Sequence, residues 1–442
     1  MNWSLRRAAA FAAVSTLSLT APLLGRAAAV PFVLVALLAF PVTDGALFEL
    51  FSTPRDRREE RLRTLIGFAL AAAGVGLLVP VFEVPVGVFV ATVLIVGYGD
   101  LGRRLVLAVR QDRTLSMTGF VVVAGLAAVA GQAVVAALLG EPTAVPYWVF
   151  LASSGALVAG VLRSVFVARD DPVVLVTVAL LLWLLAVLAP FETMTTAVAW
   201  ERVLVALGVT TVFGYVSYAL DATSVAGMLT GVLLGLLAVV LGGYGWYAIL
   251  IAFFAVGSLT TKFRYEQKLE RGVAQENEGA RGTGNVLGNS AAALVALLLY
   301  AASAHVPLSA TAYQFAYAGA VATALADTLS SEIGGLFDDP RLVTTLERVE
   351  PGTDGAITWQ GEVAGLAGAA LIAALCVVVP DFHFSLVGAG VVVAAGFVGM
   401  TADSVAGAVL EGDVVGNQGV NFLATLAGGL AGGALALLGH FT

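Results

Sequence analysis

Residues 172–190 read PVVLVTVALLLWLLAVLAP and contain no charged side chain. A helix that crosses the hydrocarbon core of a bilayer needs about 20 predominantly apolar residues. The run is continuously apolar rather than alternating, and it is too long for a barrel strand, so it indicates a helix. Because a helix satisfies its own backbone hydrogen bonds, it is stable in lipid. This stretch therefore predicts a transmembrane helix.

Similar runs recur along the whole chain. Of its 442 residues, 59% are hydrophobic and 12% charged, and the mean hydropathy is +0.95. A soluble domain carries about 25% charged residues. We therefore predict an all-α polytopic membrane protein with about fifteen transmembrane helices. Their approximate limits are 8–24, 28–50, 64–81, 85–102, 117–139, 145–168, 172–190, 203–219, 224–241, 243–260, 289–304, 312–330, 357–379, 384–402 and 420–441.

The positions of arginine and lysine predict the orientation. Cytoplasmic loops carry an excess of these residues. With a cytoplasmic N-terminus and alternating spans, the outer side receives only Arg26 and Arg202. We therefore expect a multi-pass protein of the cell membrane. The inner side receives Arg6, Arg7, residues 55–63, residues 103–113, Arg163, Arg169, residues 262–281, Arg341 and Arg348.

The inner loops divide the chain into two predicted domains. They are short and arginine-rich in the first half, whereas the second half has two long ones, 261–288 and 331–356. Polar residues interrupt the apolar pattern near 191–202. We therefore predict a membrane domain at 1–200 and a second one at 201–442. The lone cysteine, Cys376, excludes an internal disulfide and any multi-cysteine metal site.

The loop 261–288 has the composition of a phosphate-binding segment. It contains both lysines of the chain and a glycine-rich turn, 279–285, that precedes a helix. Backbone N–H groups of such a turn and a helix N-terminus attract phosphate, and arginine binds phosphate through two parallel bonds. Lys262, Arg281, Gly279 and Gly282 are the candidates. The alternative is a solvated loop with helix breakers.

Two aspartates lie at the predicted inner ends of spans. Asp327 and Asp403 stand in the similar segments 326–331 and 402–407, and Glu332 follows the first. Ionisable groups at membrane depth are costly and usually functional. Carboxylates without histidine or cysteine suit Mg²⁺, which also binds substrate phosphates. We predict these three acids as metal ligands; the alternative is that the aspartates are helix caps.

Further polar residues of the second half are candidates for holding a nucleotide or an acceptor phosphate. They are Asn285, Asn289, Thr353, Asp354, Ser404 and Asn421. With the carboxylates and the glycine turn, they predict phosphoryl or nucleotidyl transfer to a lipid, in which the protein mainly neutralises charge. The rival hypotheses are a secondary transporter and a CTP-dependent cytidylyltransferase acting on a lipid phosphate.

Motifs of the second half resemble a known family. The segments GARG at 279–282, ADTLSSEIG at 326–334, PGTDGA at 351–356 and DSVAGA at 403–408, with Lys262, are similar to the integral membrane family that includes plant phytyl-phosphate kinase. The resemblance covers about 203–442. It implies phosphorylation of an isoprenoid monophosphate to the diphosphate, with Mg²⁺ and a nucleoside triphosphate. CTP is the favoured donor, and ATP is the alternative. Its partners would be the lipid phosphate and the nucleotide, with no nucleic acid.

The first half has a fainter resemblance. Residues 99–104, GDLGRR, and 113–119, RTLSMTG, are similar to segments of CTP-dependent phytol and dolichol kinases. Arg113 stands where that pattern has lysine, and Ser116 with Met117 where it has Glu-Gly. The first half is therefore expected to be a degenerate or accessory domain, with an active polyprenol kinase as the alternative.

Overall fold

The computed structural model describes residues 3–165, 171–189, 194, 196–274, 281–411 and 415–439. In this part of the chain, 13 helices are long and apolar enough to cross a membrane. The only strands described are two residues long each. The predicted fold class, an all-α polytopic membrane protein, is confirmed.

The chain divides into two compact units, Met1–Val205 and Ala206–Thr442. The helices of the first unit are joined by short loops. They are α1 (Trp3–Ser15), α2 (Ala21–Leu24), α3 (Val30–Ala39), α4 (Gly45–Phe51), α5 (Pro54–Glu59), α6 (Arg63–Phe82), α7 (Val86–Val109), α8 (Arg113–Leu139), α9 (Val145–Val165), α10 (Asp171–Leu188) and the start of α11 (Ala197–Ala219).

The second unit begins within α11. A π-helical turn, Ala238–Gly242, extends α12, and a hairpin follows α16 in which β1 pairs antiparallel with β2. The elements are α12 (Val225–Leu237), α13 (Tyr244–Lys262), α14 (Tyr265–Glu270), α15 (Thr283–Ala301), α16 (Ala310–Gly334), β1 (Arg341–Leu342), β2 (Ala356–Ile357), α17 (Trp359–Val378), α18 (Leu386–Leu410) and α19 (Asn417–Leu438).

The predicted span 28–50 is not one helix. Helix α3 ends at Ala39, and α4 begins only at Gly45. Pro41 lies between them and lacks the N–H that a helix interior requires. Gly45 has φ +78°, a left-handed conformation that interrupts a right-handed helix. The stretch is helical at both ends, as its apolar composition predicts, but its turn residues divide it into two helices.

Helix α16 is the centre of the second unit. It packs against α13, α15, α17, α18 and α19, and every residue from Tyr317 to Ala326 is buried. It is not among the 13 helices apolar enough to span on composition alone. Because its neighbours are helices rather than lipid, it needs small side chains for close packing more than long apolar ones.

Glycines allow the helices around α16 to approach closely. A Cβ at Gly428 of α19 would lie 3.1 Å from the Gly319 carbonyl oxygen of α16. A Cβ at Gly396 of α18 would lie 2.7 Å from the Ala369 Cβ of α17 and 3.3 Å from the Ala322 Cβ of α16. This small-residue packing sets the distances between the backbones of α16, α17, α18 and α19.

Candidate active site

The two predicted aspartates come together because α16 and α18 pack closely one turn before them. A Cβ at Gly399 would lie 2.8 Å from the Thr323 Cβ, so only glycine fits there. The Thr323 hydroxyl contacts the Ala395 carbonyl oxygen at 3.4 Å. Asp327 and Asp403 lie four residues after Thr323 and Gly399, on the same helix faces. The charge of Asp403 acts on Asp327, so the two carboxyl groups are neighbours.

The aspartates lie at the same level of the two helices. Asp327 is seven residues before the end of α16 at Gly334, and Asp403 is seven residues before the end of α18 at Leu410. At a rise of about 1.5 Å per residue, each carboxylate is roughly 10 Å from its helix end. The sequence predicts both aspartates at the ends of their helices, whereas in the structure both lie about two turns before the ends.

A buried ion pair lies beside the aspartates. Lys268 Nζ contacts Glu332 Oε2 at 2.5 Å, with side chains 1% and 3% exposed. Lys268 also donates to the carbonyl oxygens of Thr260 and Thr261, at 2.8 and 3.1 Å. Sequence reasoning did not single out Lys268 because α14 is short and highly charged. Nothing in the sequence around Lys262 and Lys268 indicates that only one of the two lysines is buried.

Arg281 is held at the same place by its backbone. Its N–H donates to the Ala222 carbonyl at 3.0 Å, and its carbonyl accepts from Ser224 N–H at 3.1 Å and from the Thr223 hydroxyl at 2.8 Å. The guanidinium carbon lies 5.2 Å from the Phe253 ring centroid. This pairing leads the Arg281 side chain across α13 towards α16.

The Arg281 guanidinium is buried and positively charged. The residue is 5% exposed, and a Cβ at Gly257 would lie 2.9 Å from Arg281 Nη2, so Gly257 provides its space. Burial lowers the pKa of Arg281 to about 10, whereas the charges of Glu332 and Asp327 act in the opposite direction. Arg281 therefore remains a cation at neutral pH, close to both carboxylates.

Three buried polar atoms of this cluster have no hydrogen-bond partner among the described residues. They are Arg281 Nη1, Glu332 Oε1 and Asp403 Oδ1. An unpaired buried group is costly, and a bound ion, ligand or water is the usual explanation. A guanidinium N–H is satisfied by a phosphate oxygen, and carboxylate oxygens by a cation.

The donor set suits Mg²⁺ bound together with phosphate rather than a metal enclosed by protein. No group of three or more acidic, histidine or cysteine side chains within the described ranges is placed to hold a metal ion, and Lys268 occupies one oxygen of Glu332. Mg²⁺ is commonly bound by one or two carboxylates, with waters and phosphate oxygens completing its shell. Asp327 and Asp403 meet that requirement.

The other phosphate-binding candidates of the loop 261–288 and of the start of α15 lie in different environments. Gly279 is outside the described residues. Lys262 is exposed, and its ammonium donates to the Leu220 carbonyl. Gly282 is the N-cap of α15 and supplies no side-chain cap. Asn289 donates to the Asn285 carbonyl at 3.0 Å, one turn along the same face. The structure thus groups Arg281 with the carboxylates but brings no contact from Lys262 to them.

The 351–356 turn packs on α18 beside Asp403. A Cβ at Gly355, whose φ is +75°, would lie 2.6 Å from the Ser404 carbonyl oxygen. Thr353 is exposed and donates its hydroxyl to the Glu350 carbonyl at 2.7 Å. Asp354 is also exposed, and its charge acts on Glu411. The turn therefore adds a carboxylate at the rim, while the Thr353 hydroxyl is engaged within the turn.

Glu411 is a functional candidate that sequence reasoning missed. It follows α18 directly, lies near Asn417, and its charge acts on Asp327. Burial raises the pKa of Glu411, and the charge of Asp354 raises it further. The Ser404 hydroxyl donates to the Met400 carbonyl at 3.3 Å, and Asn421 of α19 is 9% exposed. Only the position of Glu411, eight residues after Asp403, signalled its proximity.

In the first unit, the glycines of the fainter resemblance are explained by packing. A Cβ at Gly99 would lie 2.6 Å from the Phe120 ring, and one at Gly119 would lie 3.0 Å from the Gly102 carbonyl oxygen. These residues are where α7 and α8 approach closely. Asp100, between two of the glycines, is buried. A structural role thus accounts for the glycines, and catalysis by this unit remains a prediction.

With these features, the second unit is a polytopic helical membrane domain with a buried charged cluster beside its central helix. The chain belongs to the integral membrane protein family DUF92, whose sequence pattern matches residues 208–429. The predicted family of the second half is therefore confirmed. The match lies within the second unit and does not extend to the fainter resemblance of the first half.

Three relatives illustrate the similarity. An uncharacterized membrane protein of Methanocaldococcus jannaschii is 34% identical over 209 residues, 47% of this chain and 82% of that protein. Protein VTE6, chloroplastic, of Arabidopsis thaliana is 31% identical over 153 residues, 34% of this chain and 46% of that protein. An uncharacterized membrane protein of Synechocystis is 33% identical over 174 residues, 38% of this chain and 64% of that protein. No solved structure matches the chain.

Proposed function

We propose that the second unit is a membrane-embedded kinase that phosphorylates an isoprenoid monophosphate at the cytoplasmic face of the cell membrane. The donor is a nucleoside triphosphate, CTP or ATP. The observation that carries the proposal is the convergence of Asp327 and Asp403 with the buried cation Arg281 and the Lys268–Glu332 pair. Such a site can neutralise two polyanions that must approach each other.

The residues have separate tasks in this reaction. An oxygen of the acceptor phosphate attacks the terminal phosphorus of the nucleotide, the bond to the bridging oxygen breaks, and the nucleoside diphosphate leaves. Mg²⁺ would be held by Asp327 and Asp403 and would offset the charge of the transferred group. Arg281 Nη1 donates to a phosphate oxygen. Since the acceptor is already an anion, no strong base is needed.

The ion pair beside the site has a positioning task. Lys268 holds Glu332 through one oxygen and leaves Oε1 without a partner among the described residues, while the charge of Glu332 acts on Arg281. Thr353, Asp354, Asn285, Asn289, Ser404 and Asn421 remain candidates for orienting the nucleotide. Lys262 and Gly282 remain candidates for contacts to its phosphates.

Product analysis tests the proposal and separates it from its rivals. The full chain is incubated in membranes with Mg²⁺, geranylgeranyl phosphate and labelled CTP or ATP. A kinase produces geranylgeranyl diphosphate and a nucleoside diphosphate, whereas a cytidylyltransferase releases pyrophosphate. Substrate flux into proteoliposomes without nucleotide would indicate a transporter. Either of the last two results would overturn the kinase.

A further inference from the structure

An apolar cleft lies beside the charged cluster of the second unit. The space inside it, its open mouth included, amounts to about 570 Å³. Apolar side chains of three helices supply much of its wall, including Phe213 of α11, Met228 of α12 and Leu250 and Phe254 of α13. Five hydroxyl-bearing residues line it as well: Thr210, Ser217, Thr223, Tyr247 and Ser258.

Among the described residues that line the cleft, Arg281 is the one with a charged side chain. The backbone of Arg281 pairs with Thr223, a second lining residue. Its buried guanidinium carries an N–H without a partner among the described residues and lies near Asp327 and Glu332. The same residue thus joins an apolar cleft to the site at which phosphates would meet.

The cleft is accessible from an apolar surface. Phe213 lines it and is nevertheless 44% exposed. Beyond it on α11, Val212, Tyr215 and Val216 expose 61%, 63% and 44% of their surface. Because α11 is apolar enough to span a membrane, we infer that these exposed side chains contact hydrocarbon. A ligand that already resides in the bilayer therefore has direct access.

We propose that the cleft between α11, α12 and α13 binds the isoprenoid chain of the acceptor and directs its phosphate to Arg281. This inference rests on the proposed function and adds the place and chemistry of acceptor binding. An apolar chain matches the apolar side chains of the wall, and an anionic group matches the Arg281 guanidinium. Phosphatidate also combines apolar chains with a phosphate, so the experiment must separate the two lipids.

Gly231 offers a way to fill the cleft. It lines the cleft on α12, and a Cβ there would meet nothing within 4 Å. The side chain of tryptophan or leucine at Gly231 therefore begins in open space and would occupy the space of the ligand. Gly390 of α18 is the matched control, because it is also a helical glycine with nothing within 4 Å and it does not line the cleft.

The test is photolabelling of the full chain in membranes by geranylgeranyl phosphate with a diazirine in its chain. We expect labelled peptides from α11, α12 or α13, protection by excess geranylgeranyl phosphate, and weak labelling by the corresponding alcohol. Gly231→Trp should lower labelling by about tenfold or more, and Gly231→Leu should lower it less. Gly390→Trp should label as the wild type does.

Each other outcome is informative. Labelling elsewhere in the chain, or labelling that Gly231→Trp and Gly231→Leu leave unchanged, overturns the cleft proposal. Protection by phosphatidate but not by geranylgeranyl phosphate also overturns it. Labelling in the cleft without diphosphate formation from CTP or ATP supports the cleft and contradicts the kinase, so the two proposals fail separately.

Discussion

Lys262 and Lys268 are the only lysines of the chain, and their surroundings are opposite. Lys262 is exposed, whereas Lys268 is buried against Glu332. Removing one partner of a buried ion pair leaves the other charge without compensation in a low dielectric. Burial, rather than residue type, therefore decides how much each lysine contributes to the stability of the protein.

Substitution of Lys268 by methionine should destabilise the protein strongly. Glu332 would remain as a buried, unpaired carboxylate, which costs about 3–5 kcal/mol. Lys262→Met should change stability by less than about 0.5 kcal/mol, since surface substitutions rarely do more. The measurement is the Tm of the detergent-purified protein, followed by intrinsic fluorescence.

A double variant provides the control for charge. Lys268→Met with Glu332→Gln removes both charges and should recover part of the lost Tm. An unchanged Tm in the Lys268→Met protein would contradict the buried pair. An equal loss in Lys262→Met would show that the two lysines do not differ as their exposure indicates.

At the level of elements, the approach of α16 to α18 positions the two aspartates. Gly399→Leu should force the helices apart, because a Cβ there overlaps the Thr323 side chain. A displacement of about 1 Å can cost about 100-fold in rate. We therefore expect a large loss of kinase activity, measured as diphosphate formed per minute at saturating substrates.

The matched control lies on the same helix. Gly390→Leu meets open space, so its activity and Tm should resemble those of the wild type. Gly399→Ala, with a smaller side chain, should lose less activity than Gly399→Leu. Full activity of Gly399→Leu would show that the close approach is not needed to bring Asp327 and Asp403 together.

The sequence predicted the elements whose signal is local. Thirteen of the long helices follow from apolar runs, because lipid selects composition directly. The family motifs identified Asp327, Asp403 and Arg281, which the fold brings to one cluster. Breaks that depend on turn geometry, such as the one between Ala39 and Gly45, were not predicted.

Contacts between distant segments were harder to predict. The Lys268–Glu332 pair joins residues far apart in sequence, and no periodicity connects them. Glu411 becomes a neighbour of Asp327 only when α18 packs on α16. The cleft is likewise a property of three packed helices and not of any one segment. Packing decides such features, and a single sequence does not contain them as a pattern.

Across the whole molecule, the proposed kinase site has to face the cytoplasm. Cys376 is buried and is the one cysteine of the chain, so introduced cysteines can report orientation. Thr345 is exposed in the loop after α16, and Ala304 is exposed in the loop before it. The arginine distribution predicts that the loop with Thr345 is cytoplasmic and that the loop with Ala304 is on the outer side.

Labelling with a membrane-impermeant maleimide measures this orientation. In right-side-out vesicles Ala304→Cys should react and Thr345→Cys should not, and inside-out vesicles should show the reverse. The wild type, with only Cys376, is the background control. Reaction of Thr345→Cys from outside would contradict a cytoplasmic site.

Transfer of the labelled terminal phosphate from CTP or ATP to geranylgeranyl phosphate is the decisive test of the kinase site. The purified wild type should form the labelled diphosphate only with Mg²⁺. Asp327→Asn and Asp403→Asn should each lose about 10²–10³-fold in rate at unchanged Tm, the usual loss when one preorganised electrostatic group is removed. Asp338→Asn, in an exposed ion pair, should retain activity. Full activity in both aspartate variants would contradict the account.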